Sequence, residues 1–566
     1  MRLDKLTIGS DKAPIDHEVD NHRFKNLKNV TIDFDQDHWV TVVIGWNGTG
    51  KSNVLEALAI IFRDLIAKKR TPAFAFRLAY RMGAGEGLRR IHIDADPDRV
   101  KDAFLIHVAD VEQIKQNDQT NSPLNRGGKT DTPPGDLIKL TAFLNADAEY
   151  VPHYVFSYYS GESTRMYDIF MSYLKNYYGS LLDSEVDPAP KRLFHAMPVH
   201  SQFVLLAFLI NSDQKTKDLL LSQLGIDLEN GVESVLFVLR DPPWDSRVGD
   251  PRFWNARGLV QRFLDRLMNV SLAPISVKRK IPKSIWNKNG TEHEFKYLYV
   301  KDIESLRKLV GEQPNNEFFR DLESTYVSEL IDEVRIRVKK NNVIMTFREL
   351  SEGEQQFLTV LGLLRFTAES ESLFLLDEPD THLNPKWSTD YLSNLKLFVG
   401  QNGESQGNSH IVMTTHNPLA IAELVKEQVQ ILYHQAGNRT VRAVNPDVDP
   451  KGMGFAGIVT SEMFGLGTSL DKATNDDLVA LHQLSTQKQP LSEPDRARLT
   501  EIRQRLESLD FNFASRDRLE QEYLRARFDL AAGGTVDGAI VTPENKRRAI
   551  DALVQSLLHG LQEEAP

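Results

Sequence analysis

The stretch Gly45-Trp46-Asn47-Gly48-Thr49-Gly50-Lys51-Ser52 constrains this chain more than any other. It matches the pattern G-x-x-x-x-G-K-[ST], in which backbone N–H groups wrap an anionic phosphate and only glycine lets the main chain turn tightly enough. The flanks agree. Val40-Thr41-Val42-Val43-Ile44 is an apolar, β-branched run that predicts a buried strand, and Asn53-Val54-Leu55-Glu56-Ala57-Leu58 opens a helix. Strand, glycine loop and helix in that order set the positive end of the helix against the phosphate. Asn47, Gly48, Thr49 and Gly50 then form the cradle, Lys51 reaches the β- and γ-phosphates of a nucleotide, and the Ser52 hydroxyl ligates Mg²⁺.

Three more motifs follow, but only after a gap of 300 positions (351 minus 51). Leu350-Ser351-Glu352-Gly353-Glu354-Gln355-Gln356 precedes a helical stripe of Phe357, Leu358, Val360, Leu361 and Leu364. Leu373-Phe374-Leu375-Leu376-Asp377-Glu378 is an apolar strand ending in two carboxylates. Asp377 is placed to hold Mg²⁺, and Glu378 to polarise an attacking water as general base. Ile411-Val412-Met413-Thr414-Thr415-His416 is a second buried strand, ending in a histidine that can contact the γ-phosphate. An isolated histidine of this kind is more often structural. This one ends a hydrophobic strand 38 positions after the base (416 minus 378).

The gap itself limits the architecture. A long coiled coil needs sustained heptads with few helix breakers. Here Pro72, Pro97, Pro123, Pro133, Pro134, Pro152, Pro188, Pro190, Pro242, Pro243, Pro251 and Pro282 interrupt it, which predicts a compact insertion. Helices are expected at Ser201–Ile210, Lys215–Leu224 and Leu259–Val270, a buried strand running into a turn over Tyr154–Gly161, and an exposed loop over Lys115–Asp136. The tryptophans of Asp241–Trp244 and Asp250–Trp254 read as a small satellite core in preference to a base-stacking platform. The resulting division is an ATPase N-lobe at 1–70, a globular, mostly helical insertion at 71–325, a C-lobe at 326–440 and a helical C-terminal region at 441–566. The C-terminal region includes charged helices at Arg496–Leu509, Arg518–Leu530 and Lys546–Leu561.

Bulk properties exclude several classes. The 566 residues contain no cysteine, so disulfides, cysteine–zinc sites and thiol catalysis are ruled out, and a reducing cytoplasm suits the chain. No signal-peptide h-region is visible, and the longest apolar run, Phe203–Ile210, is too short to span a bilayer. Net charge is −11, so any nucleic-acid surface must be a local patch. Lys278–Lys280 and Arg335–Lys340 are basic, but Arg335 and Arg337 alternate with Ile336 and Val338, as a half-buried strand would. Lys68-Lys69-Arg70 with Arg77, Arg81, Arg89 and Arg90 is the densest basic region.

The four motifs in this order resemble the ABC-type ATPase head of the RecF/SMC/OLD superfamily, over roughly residues 1–70 and 325–435. The resemblance implies an α/β P-loop fold that binds ATP and Mg²⁺. It implies that Ser351, Gly353 and Glu354 form a signature loop capping the γ-phosphate held by a second subunit, and that Asp380–Pro385 is a loop at the dimer contact. It further implies that His416 senses loss of the γ-phosphate. The family's glutamine loop has no clear counterpart; Gln202 is one candidate. The globular insertion, Tyr158-Tyr159-Ser160-Gly161 and Ser461–Leu466 are most similar to the PtuA-type ATPases of Septu anti-phage systems. That resemblance implies a slow cytoplasmic ATPase, dimeric or of higher order through head-to-head contact, that controls an HNH nuclease subunit and reaches DNA through the complex. Two other readings stand beside it: a RecF-like ATPase clamping DNA directly, and an OLD-type nuclease. The second needs a Toprim domain. Asp447-Val448-Asp449 has half of that metal pattern, but Val429–His434 lacks the required glutamate, so the pair reads as a turn.

Overall fold

The apolar runs Val40–Gly45, Ser372–Asp377 and His410–Thr414 form strands buried on both faces. In the computed structural model, which describes residues 1–12, 20–120, 133, 135–183, 191–210, 212–228, 231–244, 248–282, 290–367, 371–399, 409–435, 440–485, 492–507 and 509, the strands are numbered in chain order. They are β1 (Arg2–Ile8), β2 (Val30–Asp33), β3 (Val40–Gly45), β4 (Phe76–Met82), β5 (Arg89–Ala95), β6 (Phe104–Ala109), β7 (Asp136–Ile138), β8 (Tyr154–Tyr159) and β9 (Leu193–His195). The second half adds β10 (Val232–Arg240), β11 (Leu272–Ile281), β12 (Thr291–Val300), β13 (Ile331–Lys340), β14 (Val343–Thr346), β15 (Ser372–Asp377), β16 (His410–Thr414), β17 (Val429–His434) and β18 (Val441–Val444).

The central sheet has the order β18-β17-β3-β16-β15-β8-β9. Every neighbouring pair in it is parallel except β17–β18. A parallel sheet needs cover on both faces, and the alternation of side chains shows it. Val42 and Ile44 of β3, Phe374 and Leu376 of β15, and Ile411 and Met413 of β16 enter one core. Val43, Leu373, Leu375 and Val412 enter the other. The second core is closed by the phosphate-loop helix Lys51–Ile66 and by a six-stranded antiparallel sheet, β2-β1-β4-β5-β6-β7. The first is closed by the helices His200–Ile210, Asn315–Val327 and Glu352–Thr367, and by the five-stranded sheet β11-β12-β10-β13-β14.

This arrangement corrects the expected boundaries. Residues 71–325 are not a mostly helical body set apart from the ATPase head. They supply β4–β7 to the sheet of β1, β8 and β9 to the central sheet, and β10–β12 to the sheet of β13. The reason is pairing: β1 has β2 on one side only, and β4 takes the other through Leu6↔Leu78 and Ile8↔Phe76. β15 likewise gains β8 through Leu375↔Ser157 and Asp377↔Tyr159. Without the intervening segment both strands would be open edges. The C-terminal boundary is similarly displaced, since β18 begins the region expected to be helical and pairs with β17.

Several local expectations meet their elements directly. Helices occur at His200–Ile210, Gln214–Leu224 and Gly258–Val270. Part of the expected loop is a helix, Val111–Thr120, and residues 121–132 and 134 of it lie outside the described residues. The helix Glu493–Glu507 pairs with Lys472–Ser485 through Leu484, Ile502 and Leu506. The helices expected at Arg518–Leu530 and Lys546–Leu561 lie outside the described residues. Trp244 and Trp254 pack against the first core, their indole N–H groups donating to Ser328 O at 2.8 Å and Glu294 Oε2 at 3.1 Å.

Candidate functional site

The phosphate loop leaves β3 at Gly45 and enters its helix at Lys51. Gly48 has φ +85°, a conformation that side chains disfavour, and no atom lies within 4 Å of where its Cβ would stand. The loop therefore presents bare backbone to open space, as an anion cradle requires. Asn26 braces it from the β1–β2 connection, donating through Nδ2 to Gly48 O at 2.9 Å and accepting from Asn53 Nδ2 at 2.7 Å. The side chain of Lys51 is folded back onto its own loop, donating to Gly45 O at 2.9 Å and Trp46 O at 3.4 Å. Burial pushes its ammonium pKa down, opposed by the charges of Glu378 and Asp377.

Ser52 and Asp377 are 325 positions apart and meet at 3.1 Å, Ser52 Oγ donating to Asp377 Oδ1. Thr414 Oγ1, at the end of β16, donates to the same oxygen. Asp377 is only 1% exposed, and burial pushes its pKa up against those two hydrogen bonds. A buried carboxylate beside a serine hydroxyl matches the sparse protein ligation of Mg²⁺, which draws its remaining ligands from phosphates and water. The residues present thus fit Mg²⁺-nucleotide.

Glu378 follows in the left-handed region, with φ +52°. Its N–H donates to Thr414 O and Thr414 Oγ1, each at 3.1 Å, and Thr381 Oγ1 donates to its carbonyl at 2.9 Å. Strain of this kind, of order 1 kcal/mol, persists where the surroundings over-determine it. The carboxylate Oε1 lies 3.2 Å from His416 Nε2. That hydrogen bond, against a smaller opposing effect of burial, holds Glu378 below the usual carboxylate range, so it is ionised at neutral pH and able to act as a base. Two residues further on, Asp380 is buried and accepts from Thr415 Oγ1 with both oxygens, at 3.0 and 2.8 Å.

Ser351 caps the helix Glu352–Thr367 in a reciprocal box: its N–H donates to Glu354 Oε2 at 3.0 Å and its Oγ accepts from Glu354 N at 3.3 Å. Gly353 lies against the 380–385 loop so closely that a Cβ would stand 2.4 Å from His382 O. Lys51, Ser52, Asp377, Glu378 and His416 are thus brought together. Ser351, Gly353 and Glu354 are not, since among the described residues no hydrogen bond or ion pair joins them to residues 45–52.

Sequence reasoning missed what β8 brings. Because β8 runs parallel to β15, Ser160 lies beside the acids, its N–H donating to Asp377 O at 3.3 Å and its Oγ 3.2 Å from Thr381 Oγ1. Ser160, Glu162, Gln356, Thr381 and Glu378 line a cavity of about 820 Å³. Gln202 is not among its lining residues; it sits in the helix His200–Ile210. The signal available was an apolar strand ending in Tyr-Ser-Gly, which says nothing of its neighbour. The basic patches are also altered. Arg81 and Arg90 pair with buried Asp4 at 2.8 and 3.0 Å, and Lys69 with Asp64 at 3.0 Å. Arg335 and Arg337 lie on the exposed face of β13, whose Val334, Ile336 and Val338 are buried. Asp449 accepts from Lys426 N at 2.9 Å, and Asp447 N–H donates to Glu462 Oε1 at 3.1 Å.

The fold and site carry the parts of a Mg²⁺-nucleotide phosphate site: a glycine loop ahead of a helix, and Ser52 beside the buried Asp377. Two family descriptions match, "AAA ATPase domain" over residues 18–123 and "AAA domain, putative AbiEii toxin, Type IV TA system" over residues 223–422. The chain is similar to the Septu protein PtuA of Bacillus mycoides (strain KBAB4), 26% identical over 168 residues, 27% of this chain and 23% of that protein. It is also similar to the "Retron Vc95 probable ATPase" of Vibrio cholerae serotype O1 biovar El Tor, 26% identical over 184 residues, 26% of this chain and 34% of that protein. The matched parts span only about a quarter to a third of these relatives. The SMC head domain from Thermotoga maritima aligns over 79% of this chain and all of its own, at 13% identity and a TM-score of 0.30. The chain is therefore similar to AAA-type ATPase domains over those two segments, and to PtuA and the retron ATPase over about a quarter of its length. No described helix is long and apolar enough to cross a membrane.

Proposed function

We propose that this chain hydrolyses ATP slowly and acts as the nucleotide-sensing subunit of an anti-phage defence complex, in which it governs a partner nuclease of the HNH type. The observation that carries the reading is the chain of contacts from Ser52 to Asp377, from Asp377 through Thr414 to Glu378, and from Glu378 to His416. Lys51 exchanges its loop carbonyls for the β- and γ-phosphate oxygens. Ser52 and Asp377 would hold Mg²⁺, which would supply positive charge against the phosphates. Glu378, ionised and steadied by His416, accepts hydrogen bonds from the attacking water and aligns it. The backbone of the loop and the N-terminus of its helix bind the phosphates in the ground and transition states alike.

The defence role rests on similarity to PtuA and the retron ATPase, and the partner on the first of these. The chain is proposed not to be a nuclease itself, and DNA to be reached through the complex. Glu378→Gln tests the roles. It keeps the shape and loses the base, so ATP binding should persist while turnover is abolished. Full turnover in that variant would sink the assignment. Metal-dependent DNA cleavage by the pure protein, lost in Asp447→Ala with Asp449→Ala, would favour the OLD-type reading instead.

A further inference from the structure

Gln356 lies one turn into the helix that Ser351 caps and is only 4% exposed. Its Oε1 accepts from His382 N at 3.1 Å, and its Nε2 reaches Glu378 O at 3.5 Å. Tyr158 of β8 lines the same cavity. The partners fix the amide's orientation, since a backbone N–H can only donate and a carbonyl can only accept. A side chain carrying one acceptor and one donor is therefore required. Leucine would leave the His382 N–H without its acceptor and leave Glu378 O to Thr381 alone, and an ionised glutamate would set a carboxylate oxygen against a carbonyl. Three residues earlier on the same helix face, Gly353 packs against His382 O. The signature helix is thus joined to the main chain just before the 380–385 loop, at Glu378, and within it, at His382.

We infer that Gln356 is a positioning residue that ties the signature helix to the left-handed backbone of Glu378 within one chain, so that movement of Ser351 is transmitted to the base. This rests on the ATPase reading and names its regulation. When Ser351 engages a nucleotide held by a second subunit, the helix that carries it shifts as a rigid element. Gln356 passes that shift to Glu378 and His382. Each subunit's base then responds to the nucleotide in the other subunit's site, which makes turnover cooperative in ATP.

The test uses the full-length protein and ATP. In Gln356→Leu, kcat should fall about tenfold or more, nucleotide affinity should stay unchanged, and the ATP dependence should lose its sigmoidal form. Gln356→Glu separates positioning from folding. A protonated carboxyl reproduces the donor and acceptor of the amide, whereas the ionised form does not. Its activity relative to wild type should therefore climb as the pH is lowered from about 8 to about 6. If Gln356→Leu does not fold, the Gln356→Glu profile decides alone, and a flat ratio overturns the inference. Full cooperative turnover in Gln356→Leu also overturns it while leaving the ATPase reading intact. Absence of turnover in the wild-type protein removes that reading first.

Discussion

Thr414 touches both acids of the site: its Oγ1 donates to Asp377 Oδ1 and accepts from the N–H of Glu378 at 3.1 Å. One hydroxyl therefore sets the metal-binding carboxylate and the backbone of the base at once. It can do so because β16 is the parallel neighbour of β15, with Asp377 opposite Thr414 in register.

Thr414→Val keeps the shape of the side chain and removes both hydrogen bonds. ATPase activity should fall about tenfold or more, and unfolding stability by about 2 kcal/mol, the usual cost of losing a buried bond to a charged group. Thr414→Ser keeps the hydroxyl and should recover most of the activity. Steady-state kinetics and denaturant melts of the three proteins are sufficient. A loss in Thr414→Ser as large as that in Thr414→Val would show that the hydroxyl alone does not carry the effect.

The chemistry legible in the sequence is the chemistry carried by contiguous runs. The phosphate loop, Asp377-Glu378 and His416 each end an apolar strand, and a strand end can be recognised without knowing its neighbours. Gln356, Thr414 and Ser160 act through partners 22 to more than 200 positions away, and those partners are chosen by strand order. The same limit explains the misread insertion. Its helices announce themselves by periodicity, but its strands reveal their meaning only once β4 is seen against β1 and β8 against β15.

Asp380 gives a pH-dependent signature. Burial lifts its pKa from an ordinary 3.8 to about 6, despite the Thr415 hydrogen bond. The folded state then holds this proton more tightly than the unfolded state. Its contribution to stability is fully present below about pH 4 and is lost as pH rises to about 6, a loss of ~3 kcal/mol at 1.36 kcal/mol per unit. Asp380→Asn keeps an acceptor for Thr415 and does not ionise. The melting temperature of Asp380→Asn relative to wild type should rise with pH across that window and level off above it. A difference independent of pH would refute the shift.

Trans complementation follows from the separation of Ser351 from the phosphate loop. If one chain cannot complete its own site, a two-fold dimer must exchange signature loops. Lys51→Ala removes the phosphate lysine, and Ser351→Arg blocks the cap. In a mixture of the two, heterodimers contain one site with both elements intact. The mixture should therefore show more ATPase activity than the sum of the separate variants. Activity no greater than that sum would place the completed site within a single chain, or elsewhere.

The C-terminal helices are the proposed docking surface for the nuclease. Lys472–Ser485 and Glu493–Glu507 form a hairpin held by Leu484, Ile502 and Leu506, a cluster separate from the two cores that flank the central sheet. The hairpin holds no residue of the nucleotide site, and its outer faces are charged: Arg505 pairs with Asp477 at 2.7 Å, and Arg496 with Glu493 at 3.8 Å. A segment that folds on its own apolar cluster and contributes nothing to catalysis can be removed without opening either main core. Deletion from about residue 470 onward should therefore leave ATP binding intact, with a melting transition still present, and should abolish co-purification with the nuclease subunit. Co-expression followed by affinity capture on the ATPase measures this directly. Capture of the nuclease by the truncated protein would move the docking surface to residues 71–325, where β11 forms an exposed edge, and would disprove the assignment to the tail.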